Sequence, residues 1–465
     1  MNKQKKPNIL LIITDQQRGD CLGVDGHPIL LTPNMDDIAR QGVRFSQAYS
    51  TCPSCIAARR SILTGQFPPT HGMVGFQDGV EFFPEHTLPG ELSAAGYQTF
   101  LAGRSMHQYP PRKRYGYDHM VLLGDIEKGR QNTFDSGLTG NGWTARPWHL
   151  EERLHPTVET VDEAVRFFKI WRDPNCPFFM TVGFVAPHPP LCPPAFYLER
   201  YLRMNLPQPV IGDWAVPPEN GFSVDTDRVN LQGEALHSCQ AAYYGLINHV
   251  DDQICRLIQA LGINPVTGRA QVENTVIIFT SDHGEMLGDH FLFRKTYPYQ
   301  GSARIPFLMQ LPEHLGVKAG QICDKPVCHE DIMPTILDIA GVPVPNSVEG
   351  RSLLPLMREP AVRWRGFLHG EHAACYGDHQ SNHYLTDGKE KYVWYTHSGT
   401  EQFFNLTEDP TELCNLALSS AYTSRLSLWR ERMITMLKDR PEGFSDGRRL
   451  IPGRPYKAVL NETKR

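Results

Sequence analysis

Two segments of the chain place an acidic residue directly after an apolar run, and both could supply ligands to a metal ion. Asp15 and Gln16 follow one such run, and Asp282 and His283 follow another. Carboxylate, amide and imidazole groups together form a mainly oxygen site that suits a hard divalent cation. A single acid at a strand end is often only a helix cap, but two such pairs together predict a metal site.

Cys55 is a candidate nucleophile, because it begins a predicted helix at 55–64 with Ser54 as N-cap and Gly65 after its end. The first-turn amides and the helix dipole stabilise an anion at that position. Arg59 lies four residues on, one turn along the same face. We therefore expect a thiolate, or an anionic oxygen in its place, to be stabilised at residue 55.

The cysteines allow a second interpretation. Cys52 and Cys55 form a C-x-x-C pair, which is typical of thiol redox proteins, but a redox pair does not explain the metal-type acids. A zinc site is not supported, because Cys323 and Cys328 do not form the second C-x-x-C pair that it would need.

The elements that must position these residues alternate between strand and helix. The run at 8–14 is continuous and β-branched, which is typical of a strand buried on both faces of a parallel sheet. The alternation predicts an α/β fold with a doubly wound, mostly parallel sheet and helices on both faces. Open sheets of this kind bind ligands at the carboxyl ends of their strands, where both acidic pairs would lie. The predicted strands are 8–14, 98–102, 178–185 and 275–280, and the predicted helices are 32–42, 55–64, 88–95, 157–171 and 243–261.

Two stretches interrupt this alternation. Residues 187–230 are proline-rich and irregular, and we interpret them as a lid or pocket wall. After about residue 365 the pattern changes to short strands at 383–385 and 391–395 and a closing helix at 421–437. We predict a catalytic domain at 1–364 and a smaller C-terminal α+β subdomain at 365–465.

Composition narrows the class of protein. The 465 residues are 40% hydrophobic and 21% charged with a net charge of −5, which is ordinary for a globular chain and offers no basic field for nucleic acid. No apolar run approaches the roughly 20 residues of a membrane span. The basic stretch 1–6 precedes no cleavage site, and the eleven cysteines are an odd number. We expect a cytoplasmic protein without a nucleic-acid or membrane partner; its oligomeric state is not predicted.

Residues 55–65 resemble the signature of the type I sulfatases, C-x-[PA]-x-R followed by a Leu-Thr-Gly run, with Ala57 in the place usually held by proline. The similarity continues in order along nearly the whole chain. It includes Gly-Arg-Ser-Met-His at 103–107, Pro-His-Pro-Pro at 187–190, Ser-Asp-His-Gly-Glu at 281–285, Phe-Arg-Lys at 293–295, Gly-Arg-Ser-Leu at 350–353 and Phe-Asn-Leu-Thr-Glu-Asp-Pro at 404–410.

The resemblance implies an alkaline-phosphatase-like fold and hydrolysis of a small-molecule or glycan sulfate ester. It implies that a maturase converts Cys55 to formylglycine, and that one divalent metal is bound, Ca²⁺ first with Mn²⁺ or Mg²⁺ as alternatives. The implied catalytic residues are Cys55, Arg59, His107, His188 and Lys295. The implied metal ligands are Asp15, Gln16, Cys55 in modified form, Asp282 and His283. His188, or Lys295 sharing the role, would protonate the leaving oxygen.

Two departures from the family pattern bear on the substrate. Gln16 stands where many sulfatases carry a second aspartate, and its pairing with Asp282 and His283 also resembles phosphonate monoester hydrolases. Hydrolysis of a phosphonate monoester or phosphate diester is therefore the alternative function. Arg104 stands where the family usually has lysine, one residue further from His107, and we predict that it binds the anionic group.

Two further residues, Glu371 and His372, open the C-terminal subdomain and are predicted to contact the leaving group. A non-catalytic anion- or metal-binding homologue and a thiol redox protein remain as competing classes.

Overall fold

The apolar run near the N-terminus forms the central strand Asn8–Asp15 of the main sheet, with every residue buried. Its side chains divide between two hydrophobic clusters. Leu10 and Ile12 pack on one face of the sheet, and Ile9, Leu11 and Ile13 pack on the other. Burying each such side chain contributes about 1.5–3 kcal/mol, which explains why this strand carries no polar alternation.

The computed structural model describes residues 6–123, 138–263, 268 and 270–460. The strands, in chain order, are β1 (Asn8–Asp15), β2 (Gly42–Phe45), β3 (Ala48–Tyr49), β4 (Gln98–Gly103), β5 (His119–Leu122), β6 (Phe178–Pro187), β7 (Thr275–Ser281), β8 (Phe307–Gln310), β9 (Gln321–Cys323), β10 (Val327–Cys328), β11 (Leu368–His372), β12 (Asn382–Thr386), β13 (Glu390–Tyr395) and β14 (Glu401–Asn405).

Eight of these strands form the main sheet in the order β5-β4-β6-β1-β7-β8-β2-β9. All neighbours from β5 to β7 are parallel, whereas β8 runs antiparallel to both β7 and β2. The predicted doubly wound, mostly parallel sheet is confirmed. The four parallel strands β4, β6, β1 and β7 bring four strand ends to one edge.

The helices cover both faces of this sheet. Their bounds in the described part of the chain are Pro33–Arg40, Cys55–Thr64, Pro68–His71, Leu88–Ala94, Pro156–Arg166, Ala195–Leu202, Gly233–Leu261, Gln300–Ala303, Ile332–Ala340, Leu354–Arg358 and Thr423–Leu437. The helix predicted at 243–261 begins ten residues earlier, and the one predicted at 157–171 ends in a π-turn, Phe167–Trp171. The irregular stretch 187–230 contains one helix, Ala195–Leu202, that its proline content concealed.

A separate antiparallel sheet of four strands, β11-β12-β13-β14, follows the main sheet. The helix Thr423–Leu437 packs on it through Leu426, Trp429 and Met433. Two of the strands, β12 and β13, were predicted, and the two outer ones were not. The boundary proposed between residues 364 and 365 remains a prediction.

No helix in the described ranges is both long and apolar enough to span a membrane. The sequence predicts that the N-terminal stretch 1–6 is not part of a signal peptide. Residues 1–5 of that stretch lie outside the described residues.

Candidate active site

Two neighbouring parallel strands deliver the two acids to one point. Thr14 at the end of β1 pairs with Ser281 at the end of β7, so the residues that follow in each strand meet at the sheet edge. The carboxylates of Asp15 and Asp282 are both fully buried there. The backbone N–H of Gln16 donates to Oδ1 of Asp282 over 3.1 Å, which fixes the two chain segments to each other.

Four side chains at this edge form a group with the chemistry of a metal site. One ligand atom from each of Asp15, Cys55, Asp282 and His283 lies within 4.8 Å of all the others. Nε2 of His283 is 3.7 Å from Oδ1 of Asp15 and 3.6 Å from Oδ1 of Asp282. Nδ1 of the same ring donates to the carbonyl of Gly284 over 2.9 Å, so Nε2 presents its lone pair to the group. This donor set fits a divalent cation.

The guanidinium of Arg59 contacts both carboxylates and offsets part of their negative charge. Its Nε donates to Oδ2 of Asp282 over 3.0 Å, and its Nη2 lies 3.4 Å from Oδ2 of Asp15. The guanidinium is fully buried, and Nη1 donates to the carbonyl of Ser105. Removing one member of such a buried set leaves an uncompensated charge, which costs about 3–5 kcal/mol.

Cys55 begins its helix as predicted, with Gly65 in the left-handed conformation after its end. Its Sγ lies 3.1 Å from Nε2 of His283 and 3.6 Å from Oδ1 of Asp15. The expectation of a stabilised thiolate is wrong: burial, and then the charge of Asp15, raise the pKa of the thiol to about 12. Desolvation beside carboxylates outweighs the helix dipole. Ser54 occupies the N-cap position, but its hydroxyl donates to the carbonyl of Gly75 instead of capping.

The accessible side of the site is formed by three half-buried residues, Arg104, His107 and His188. Arg104 follows β4, and its Nε donates to Oδ2 of Asp15 over 3.1 Å while its side chain stays 29% exposed. The backbone N–H of His188, directly after β6, donates to the carbonyl of Asp15 over 3.0 Å. An anion entering from solvent therefore meets a guanidinium and imidazoles before it meets the carboxylates.

Lys295 joins the site through two side chains. Its Nζ donates to Oε1 of Gln16 over 2.8 Å and lies 2.8 Å from Nε2 of His188. Nδ1 of His188 lies 2.6 Å from the carbonyl of Pro189, which can only accept. The neutral ring therefore carries its proton on Nδ1, and Nε2 accepts from the ammonium of Lys295.

Charge within the site is arranged around Asp15. Burial alone would raise the pKa of Asp15, but the surrounding positive groups, including Arg104, Arg59 and Lys295, outweigh it and hold the pKa well below its ordinary value. Burial, and then the charge of Lys295, lower the pKa of His188 to about 3. Burial, and then the charge of Arg104, lower the pKa of His107 well below its ordinary value. Ionised Asp15 and neutral imidazoles therefore coexist at neutral pH.

Strained backbone collects around these residues. Gln16 has φ of 73° and His107 has φ of 51°, and Lys295 lies between Arg294 at 71° and Thr296 at 84°. Left-handed conformations are uncommon outside glycine and persist only where the surrounding structure fixes them, most often at functional sites. The sequence gives no signal for this strain.

The two C-terminal candidates, Glu371 and His372, differ in their hydrogen-bond partners. The carboxylate of Glu371 accepts from Nη1 of Arg440 over 2.9 Å and from the hydroxyl of Tyr456, and it is 1% exposed. This geometry favours a structural role for Glu371, and the expected contact with the leaving group stays a prediction. His372 is also buried, its Nδ1 donates to Ala373, and its Nε2 has no hydrogen-bond partner in the described part of the chain.

A second group with ligand atoms lies in the same sheet and consists of His369, Glu371 and His383. Nε2 of His369 is 3.0 Å from Nδ1 of His383, so the two rings already partner each other. The guanidinium of Arg440, 2.8 Å from Glu371, supplies the positive charge that a metal would bring. This group is better described as a buried ion-pair network.

The buried acid Glu285 was not predicted as a site residue, although it is the last residue of the Ser-Asp-His-Gly-Glu motif at 281–285. Glu285 accepts from the backbone N–H of Leu287 over 2.8 Å, from the backbone N–H of Arg294 and from Nε2 of Gln16. Its position three residues after Asp282 was visible, but its partners lie on segments that only the fold brings together.

This chain is similar to known proteins over most of its length. The family model described as "Sulfatase" matches residues 7–342, and the model "N-sulphoglucosamine sulphohydrolase, C-terminal" matches residues 288–439. An arylsulfatase of Clostridium perfringens is 42% identical over 98% of this chain and 99% of its own length. The multifunctional alkaline phosphatase superfamily protein PehA of Trinickia caryophylli is 30% identical over 95% of this chain and 99% of its own.

Solved structures show the same fold. A protein in complex with its substrate D-glucosamine-2-N,6-O-disulfate superposes with a TM-score of 0.75 at 23% identity, covering 93% of this chain and 98% of that one. The phosphonate monoester hydrolase of Agrobacterium radiobacter gives a TM-score of 0.75 at 24% identity, covering 93% and 95%.

The chain belongs to the sulfatase family. It is a hydrolase that acts on sulfate esters, on a fold of the alkaline-phosphatase type.

Proposed function

We propose that this enzyme hydrolyses a sulfate monoester of a small molecule or glycan, with residue 55 as the nucleophile after conversion of Cys55 to formylglycine. The observation that carries the proposal is the group formed by Asp15, Cys55, Asp282 and His283, with Arg59 beneath it. Since the thiol of Cys55 is protonated at neutral pH in this setting, an unmodified cysteine is a poor nucleophile here. The hydrated aldehyde would supply one hydroxyl for attack and a second for release of the sulfate.

One divalent cation would be held by Asp15, Gln16, Asp282 and His283 together with residue 55. Ca²⁺ is our first choice, because carboxylate and amide oxygens predominate, and Mn²⁺ or Mg²⁺ are alternatives. When bound, the cation supplies positive charge to the sulfuryl oxygens and lowers the pKa of a hydroxyl on residue 55.

The remaining residues bind the anion and handle the leaving group. Arg104 and His107, at the accessible side, would bind the equatorial sulfuryl oxygens. Lys295 holds its ammonium between Gln16 and His188, and one of its three N–H groups remains for the leaving oxygen. We therefore assign Lys295 as the proton donor and His188 as the residue that holds it.

The charge balance favours a sulfate monoanion. Arg59, Arg104 and Lys295 face the carboxylates of Asp15 and Asp282, so the side chains of this group leave little excess positive charge before a metal is bound. A phosphate monoester would bring a second negative charge to the same cations.

Hydrolysis of a phosphonate monoester or phosphate diester is the second candidate function. Gln16 and His283 are both neutral groups, a pattern that also resembles phosphonate monoester hydrolases. A phosphonate monoester or a phosphate diester carries the same single negative charge as a sulfate monoester, so the charge balance does not disfavour either. The 30% identity to a multifunctional member of the superfamily supports testing these substrates directly.

The deciding experiment is kcat/KM on a matched aryl panel of sulfate, phosphonate monoester and phosphate diester. The protein is co-expressed with a formylglycine-forming maturase, the conversion at residue 55 is measured by peptide mass spectrometry, and Cys55→Ala is the blank. A lead for sulfate of several powers of ten is expected. A lead for either phosphorus ester would establish the alternative. Blank-level turnover of all three by fully converted protein would exclude an aryl leaving group and move the same comparison to sugar and alkyl esters.

We further propose that the enzyme works in a reducing compartment, the cytoplasm. All eleven cysteines have free thiols, which fits a compartment that does not form disulfides.

A further inference from the structure

Gln16 has an amide side chain that is held from both ends. Its Oε1 accepts from Nζ of Lys295 over 2.8 Å, and its Nε2 donates to Oε2 of Glu285. An ammonium can only donate, and a carboxylate can only accept. The two neighbours therefore demand the same orientation of the amide, with its oxygen toward Lys295 and the active site.

Glu285 uses its two oxygens for different purposes. Oε1 accepts from the backbone N–H groups of Leu287 and Arg294, which closes the loop that leads to Lys295. Oε2 has Gln16 as its one hydrogen-bond partner within the described ranges. The side chain is 1% exposed, so water does not replace either contact.

We propose that Glu285 is a positioning residue that fixes the amide of Gln16, so that the Gln16 oxygen is presented to the metal and to Lys295. The inference rests on the proposed function, because it concerns the same metal site. Glu285 acts through Gln16 and does not itself touch substrate or metal.

This role can be separated from a role in the loop. In Glu285→Gln, the amide oxygen still accepts from Leu287 and Arg294, so the loop contacts survive. The new NH₂ group, however, meets the NH₂ group of Gln16, and this donor–donor conflict displaces the Gln16 amide from its present position. Its oxygen then leaves Lys295 and the metal.

The double variant with Gln16→Glu and Glu285→Gln, the exchange, restores a donor and an acceptor facing each other between positions 16 and 285. The carboxylate at position 16 accepts from the amide at position 285 and keeps an oxygen for Lys295 and the metal, and the pair carries the same net charge as in the natural protein. Gln16→Glu alone places two carboxylates against each other and is expected to be worse than the exchange.

The experiment measures the dissociation constant of Mn²⁺ by titration calorimetry on chelator-stripped full-length protein, with thermal unfolding of each variant. Glu285→Gln is expected to weaken Mn²⁺ binding about 10- to 100-fold, as outer-sphere changes commonly do, and the exchange is expected to regain most of that loss. Glu330→Gln removes another buried carboxylate, one that accepts from Thr51, and serves as the matched control with unchanged binding.

Natural affinity in Glu285→Gln, or an exchange that binds no better than Glu285→Gln, would overturn the inference while leaving the proposed function standing. If Glu285→Gln fails to fold, an exchange that folds and binds Mn²⁺ supports the inference, and an exchange that also fails overturns it. Absence of Mn²⁺ binding by the natural protein would instead count against the proposed metal site itself.

Discussion

The ammonium of Lys295 lies 2.8 Å from Nε2 of His188, and the imidazole is fixed as the acceptor by its own bond to the carbonyl of Pro189. Lys295 and His188 could each protonate a leaving group. Because the proton shared between them resides on Lys295, the lysine is the donor and the histidine is the acceptor. Burial and the charge of Lys295 lower the pKa of His188 to about 3, which agrees with this order.

The kcat/KM of Lys295→Met should therefore depend on the basicity of the leaving group more strongly than the kcat/KM of His188→Gln does. Loss of a general acid commonly costs about 10²- to 10⁴-fold, and the cost grows as the leaving phenol becomes more basic. The measurement is kcat/KM across substituted phenyl sulfates for both variants. A steeper dependence in His188→Gln would contradict the assignment and return the role to the histidine.

Arg104→Lys should raise KM for an aryl sulfate about tenfold with a smaller change in kcat, because the cation is retained and the planar fork is lost. Nε of Arg104 is already bonded to Asp15, so the remaining nitrogens are the ones available to an anion. Arg153→Lys, in a surface ion pair whose arginine is 70% exposed, is the matched control and should leave KM unchanged. An unchanged KM in Arg104→Lys would contradict anion binding by this residue.

Glu371→Gln should destabilise the protein while leaving the chemistry largely intact. It breaks a buried pair with Arg440, and such losses cost about 3–5 kcal/mol in the free energy of unfolding. Urea unfolding measures the loss, and kcat/KM of the folded enzyme should stay within about threefold of the natural value, a difference well under 1 kcal/mol. A large fall in kcat/KM without loss of stability would restore Glu371 as a substrate contact.

The protein should lose stability on acidification below about pH 6.5, the ordinary histidine pKa. Burial lowers the pKa of His71 to about 3 and the pKa values of His329 and His369 to about 4. Between the lowered and the ordinary pKa the unfolded chain binds more protons than the folded one, so stability rises with pH there and is fully present above about pH 6.5.

Thermal unfolding between pH 8 and pH 4 checks this expectation. His71→Gln removes one of the titrating rings while keeping a side chain that can bond to Ser61, the present partner of His71, so its melting temperature should fall less steeply with acid. A slope as steep as that of the natural protein would show that His71 does not contribute.

The sequence by itself determined the features that depend on neighbours along the chain. Three local patterns illustrate this: the apolar run ending at Asp15, the one ending before Asp282, and the helix that begins at Cys55. They sufficed to predict a mostly parallel sheet with both acids at the carboxyl ends of its strands. Strand and helix periodicity are properties of short segments, which is why these predictions were confirmed.

Only the tertiary structure decided the chemical state and the partners of these residues. The thiol of Cys55 is neutral because burial beside Asp15 outweighs the helix dipole, and Glu371 is paired because Arg440 returns to it from the C-terminal segment. The bond between Gln16 and Glu285 joins residues that are 269 positions apart. Coulomb energy and desolvation depend on distances and burial that arise only when such segments are packed together, and no local pattern encodes them.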